Sequence, residues 1–138
     1  MGYIKPTENS GREFYLRFNG KGKFSMLNLL KYKEVADYAT CPNLAPSTSI
    51  SGKEAYTRYM KEAQPLIQRS GGRVIYFGVC GDFVIGPESE KWDAVLIVEH
   101  LSAEAFIGFA NDEEYLKIAG HRTAALDDSR LLPMFKKG

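Results

Sequence analysis

Three short stretches of this chain, Phe24–Leu30, Arg73–Cys80 and Trp92–Glu99, have the residue types of β-strands and are largely apolar on both faces. A fourth, Arg130–Phe135, contains Pro133, which suits an edge strand or a bulge. Helical patterns fall between them, so the order of elements is β-α-β-β-α-β. With right-handed crossovers, two helices cover only one face of a four-stranded sheet. The bare face would expose on the order of several hundred Å² of apolar surface, and something has to cover it. The simplest cover is the same face of a second copy, an isologous two-fold contact. Two sheets packed in this way enclose a barrel-like interior, with ligand pockets at its rim.

The helices have readable ends. Ser51-Gly-Lys-Glu54 has the form of a capping box. Tyr56, Tyr59, Met60, Ala63, Leu66 and Ile67 follow at helical spacing, Pro65 predicts a kink, and Gly71-Gly72 ends the helix. Ser102 caps a short helix through Phe109, and Asn111 or Asp112 caps another through about Arg122. Arg12–Phe18 is a candidate short helix, Asp37–Ser51 a long loop, and Phe83–Ile85 a candidate return arm of a hairpin. On the first strand, Met26, Asn28 and Leu30 alternate with Leu27 and Leu29. The expectation is that Leu27 and Leu29 lie under the helices and that Asn28 faces the barrel interior.

The 138 residues suit one domain with a core of useful size. Lys and Arg number 18 against 17 acidic residues, a net charge of +1, so no strong pull toward nucleic acid or anionic membrane follows. Cys41 and Cys80 form no C-x-x-C and have no His nearby, so no metal site is expected. Met1–Phe18 lacks an apolar signal-peptide core, and no run approaches the ~18 apolar residues of a membrane span, which points to the cytoplasm by exclusion. Dinucleotide-binding, P-loop, zinc-hydrolase and serine-hydrolase motifs are all missing.

Met26-Leu-Asn-Leu-Leu-Lys31, Ser51-Gly-Lys-Glu-Ala-Tyr56, Gly71-Gly72, Ile85-Gly-Pro87, Trp92-Asp93, Glu114-Tyr115 and the run His121 to Pro133 stand in an order and spacing that resemble an uncharacterised family of domains of unknown function. That family belongs to the dimeric α/β-barrel, ferredoxin-like superfamily. The resemblance covers roughly residues 24–135. It implies an α+β, ferredoxin-like βαββαβ fold, an antiparallel sheet with helices on one face, and a dimeric α/β barrel. Residues 1–23 then form an N-terminal extension and 24–138 the domain. Superfamily relatives include cofactor-independent monooxygenases, lactone isomerases, haem-dependent enzymes and stress-response proteins, so the resemblance fixes no reaction. No His here matches a haem-ligand motif, and no cofactor is expected.

The densest polar segment is His121-Arg122 followed by Asp127-Asp128-Ser129-Arg130. His121 could move a proton near neutral pH, Arg130 or Arg122 could hold a carboxylate or enolate, and Asp128 could orient either of them. The same residues also suit a helix end and a turn. Asn28, Tyr56, Trp92 and Arg122 are candidate ligand contacts, with hydrogen bonding or core packing as the alternative for each. Asp93 and Glu99, on one face of a strand but ~20 Å apart, are too distant to form a carboxylate pair. Two functions fit: a small-molecule-binding dimer, with or without monooxygenase- or isomerase-like enzyme activity on an apolar or aromatic carbonyl compound without bound cofactor, or a non-catalytic structural, stress-response or partner-binding module.

Overall fold

A computed structural model of the chain describes residues 2–137. Four strands form one antiparallel sheet: β1 (Phe24–Tyr32), β2 (Arg73–Val79), β3 (Ala94–His100) and β4 (Leu126–Met134), in spatial order β2-β3-β1-β4. The helices are α1 (Glu8–Phe18), α2 (Gly52–Arg69), α3 (Ala103–Ala110), α4 (Glu113–Ile118) and α5 (Gly120–Ala125), with a single 3-10 turn at Pro42–Leu44. The sheet has helices on one side only, as the order of elements required. Among the described residues no helix is long and apolar enough to cross a membrane.

The core lies between the sheet and α2. From the sheet come Leu30, Ala94, Leu96, Val98 and Leu126, and from α2 come Ala55, Tyr56, Tyr59, Met60, Ala63 and Ile67. The Ser51 side chain accepts the Glu54 N–H at 3.1 Å and so starts α2. The helix runs unbroken through Pro65 and closes at Ser70, after which Gly71 takes φ +87°, a left-handed conformation that glycine adopts without strain.

The structure reverses the expected faces of β1. Phe24, Met26, Asn28 and Leu30 are buried toward the helices, while Ser25, Leu27 and Leu29 are half-buried on the open side. Leucine and methionine alternate with leucine here, so hydropathy carries no sign for the face. The neighbouring strand has the clearer polarity. Ala94, Leu96, Val98 and His100 point inward, and Val95, Ile97 and Glu99 outward. Register carries this across the sheet: Leu27 pairs with Ile97 and Leu132, and Leu29 with Val95 and Arg130.

Other boundaries also move. The first helix starts at Glu8, because Thr7 and Ser10 form a reciprocal capping box. The expected helix through Arg122 is two, α4 and α5, meeting at Ala119. Strand β4 begins at Leu126 and occupies an edge, which accommodates Pro133. Phe83–Ile85 forms no return arm. The stretch between β2 and β3 contains no strand, and Val84 and Ile85 are 100% and 93% exposed. Strand β2 is the opposite edge, and Ile75, Tyr76, Phe77 and Val79 are all exposed along it.

Candidate functional site

His121 opens α5 and is buried beneath the long loop before α2. Its Nδ1 lies 2.8 Å from the Tyr38 hydroxyl, with the two rings edge to face. Burial pushes the His121 pKa below its ordinary value, the Arg58 charge pushes it the same way, and Glu62 opposes them. The imidazole is therefore held neutral near pH 7, the form able to accept a proton. Cys41 fastens the same loop to α5 by donating from Sγ to the Gly120 carbonyl at 3.4 Å.

Arg122, Asp128, Ser129 and Arg130 form a second group. Together they grip the extended segment Gly2–Ile4. Asp128 Oδ1 accepts the Tyr3 N–H at 2.8 Å, the Ser129 hydroxyl donates to the Tyr3 carbonyl, and Arg122 Nη1 donates to the Ile4 carbonyl at 2.8 Å. Arg130 pairs with Asp128 at 2.7 Å and sits 4.9 Å from the ring centres of both Tyr3 and Trp92. The buried Trp92 donates from its indole to Glu90. Backbone approach is close enough that a Cβ on Gly2 would collide with the Asp127 carbonyl. Burial pushes the Asp128 pKa up, but its bonds from Tyr3, Arg130 and Ser129, with the Arg130 charge, together outweigh burial and hold the carboxyl below its ordinary range.

Asn28 lies under the helices, not in a barrel interior as its alternation suggested, and its Nδ2 donates to the Leu96 carbonyl at 3.2 Å. Tyr56 is buried in a run of phenols. Its ring is 5.8 Å from Tyr32 and 5.2 Å from Tyr59, and the Tyr59 and Tyr115 hydroxyls meet at 2.8 Å. Burial raises the pKa of both Tyr56 and Tyr59, so these phenols stay protonated.

The predicted residues do not surround one pocket. His121 faces Tyr38, Arg122 and Arg130 face the N-terminal segment, and Asn28 faces its neighbouring strand. A cleft of about 300 Å³ opens beside this cluster, lined by Gly2, Ile4, Lys33, Asp37, Thr40 and Thr123 among others. Two groups were missed. Tyr38 gave no signal, because a tyrosine in an irregular loop has no periodicity. His100 has one: it extends β3 on the parity of Ala94, Leu96 and Val98, which marks an inward position. Among the described residues no group of three His, Cys, Asp or Glu side chains could hold a metal ion.

The model of a family described as Domain of unknown function (DUF1330) matches residues 45–133. The chain belongs to this family. The DUF1330 match includes His100, His121, Arg122, Asp128 and Arg130, and leaves Asn28 and Tyr38 outside it. No curated protein matches the chain. Among solved structures, a protein of unknown function from Rhodopseudomonas palustris (RPA0582) is 33% identical, with 100% of this chain and 99% of that one covered and a TM-score of 0.87. A dabb family protein with a ferredoxin-like fold from Mesorhizobium loti is 12% identical, with 85% and 99% covered and a TM-score of 0.50. The second likeness concerns the fold alone, and the DUF1330 chain shares that ferredoxin-like architecture.

Proposed function

We propose that this chain works as a homodimer joined through its open sheet face, and that the dimer binds a small molecule. The observation that carries the pairing is the apolar character of that face. Leu27, Leu29, Val95 and Ile97, half-buried, occupy the middle of the sheet, with Tyr76 and Leu132 beside them, and among the described residues the helices lie on the other side. Charged groups stand near the ends of the face: Arg73 with Glu99 at 3.1 Å, and Arg130 with Asp128. An apolar centre with a polar rim is the anatomy of a protein interface. Light scattering at micromolar concentration tests it. Twice the protomer mass is expected, and Ile97→Lys should give a folded monomer. A wild-type monomer at that concentration overturns the pairing.

Catalysis by Asp128 and Arg130 has little support, because they already pair with each other within the chain, whereas the cleft of about 300 Å³ beside Thr40 and Thr123 has room for a small ligand. Native mass spectrometry of freshly purified protein tests binding, with a ligand expected to remain on the dimer. A dimer that carries no added mass, from several expression hosts, counts against it.

One observation favours an enzyme, the neutral His121 seated against Tyr38. In that reading His121 is a general base acting on an apolar or aromatic carbonyl compound. Hydrogen–deuterium exchange at the methyl group of acetophenone, followed by NMR, is the assay. Wild type should accelerate it and His121→Gln should not; equal rates remove His121 from any such role.

A further inference from the structure

At the far end of β3, His100 is 3% exposed, and its Nδ1 is buried without a hydrogen-bond partner. It is the one such side-chain atom among the described residues. Aromatic rings surround it. Phe106 lies 4.8 Å from the imidazole centre, Phe24 5.6 Å in a stacked arrangement, and Phe109 6.3 Å. Burial in this apolar setting lowers the pKa to about 4, so the ring is neutral at physiological pH. A buried N–H without a partner is rarer than a bare acceptor, which assigns the lone pair to Nδ1 and the hydrogen to Nε2.

The outer wall of this aromatic group is α1. Phe14 approaches Phe24 at 5.5 Å and Phe106 at 5.6 Å, and Phe18 approaches Phe24 at 5.3 Å. Helix α1 lies at the surface, and its Phe18 also stacks on Phe135 at 4.3 Å. It contains no fully buried residue, and Leu16 and Tyr15 on it are exposed. The Asn19-Gly-Lys-Gly22 link that follows has two left-handed glycines, at φ +76° and +82°, and is tied to α3 by the Gly20 N–H to Glu104 at 3.2 Å. Such a joint turns at low cost.

We propose that α1 is a movable cover over a binding site for a small aromatic alcohol, in which the ligand ring takes the place of Phe14 against Phe24 and Phe106 and the ligand hydroxyl donates to His100 Nδ1. The ring chemistry follows from the phenylalanine walls. The hydroxyl follows from the bare nitrogen, since a hydrocarbon would leave it unsatisfied. Donation from the ligand completes the only buried side-chain atom that the fold leaves unpaired among the described residues. Nothing in this site depends on the pairing of sheets, because His100 lies on the helix side of β3.

The test compares phenol with toluene, which has the same ring and no hydroxyl, by NMR titration of protein labelled with nitrogen-15 in its histidines. Phenol should saturate in the millimolar range and shift the His100 Nδ1 resonance, and toluene should bind at least about tenfold more weakly. Phe14→Ala should tighten phenol binding several-fold by weakening the cover. His100→Phe should abolish the preference for phenol. Equal binding of the two compounds, or saturation without a change at His100 Nδ1, overturns the proposal on wild-type protein alone. So does an absence of saturable phenol binding in both wild type and Phe14→Ala.

Discussion

Tyr38 and His121 lie 83 positions apart in sequence and share a hydrogen bond of 2.8 Å in the interior. The contact closes the long loop before α2 onto α5. Tyr38→Phe removes the partner of a buried ring nitrogen, and a buried polar atom left unmatched costs about 1–3 kcal/mol. Chemical denaturation should show a loss of that size. Arg58→Gln should raise the His121 pKa, because the Arg58 charge is among the causes that depress it; NMR titration of the imidazole measures the change.

Stability should fall as pH drops from about 6.5 toward 4. His100 has a folded pKa of about 4 against an ordinary 6.5. Within that window the unfolded chain binds the extra proton, so unfolding is favoured as pH falls. The contribution is complete above the unfolded value and lost through the folded one. Its size is on the order of 3 kcal/mol. His121 is depressed too and acts in the same direction. Thermal melts across this range should show the loss, and His100→Phe should remove most of it.

The two faces of β1 separate by mutation. Leu30 is fully buried in the core, so Leu30→Ala should cost about 2–5 kcal/mol in urea unfolding. Leu29 is half-buried on the open face, so Leu29→Ala should cost less than about 1 kcal/mol in a protomer, and its main effect should appear as weaker self-association.

Arg122 anchors the N-terminal segment through the Ile4 carbonyl and also reaches Ser129 at 3.4 Å. Arg122→Met keeps the length of the side chain and deletes its donors. Residues 2–7 should then be cut sooner in limited proteolysis, with a stability loss of about 1.5–3 kcal/mol, the range for a hydrogen bond from a charged group.

The fold was legible because its signals were local: the Ser51 cap, the Gly71 stop and the period of α2 all correspond to observed features. The face of β1 was not, since apolar residues occupy both sides and tertiary packing alone chooses between them. The polar run 121–130 is dense in the sequence, but its partners sit far away, at Tyr38 for His121 and at Tyr3 and Ile4 for Asp128 and Arg122. No spacing rule connects residues that meet only after the sheet has formed. Arg122 and Asp128 make their long-range hydrogen bonds to the segment 2–4, and Arg130 pairs with Asp128.

The bare rim formed by Val74–Val79 bears on handling as well as assembly. This stretch has no charge and no proline and is rich in branched and aromatic side chains, a composition that templates stacked amyloid-like ribbons. Among the described residues β2 pairs with a strand on one side only. Insoluble fibres grown from partly unfolded material should therefore have this hexapeptide at their ordered spine, and a lysine at Ile75 should act as a gatekeeper against them.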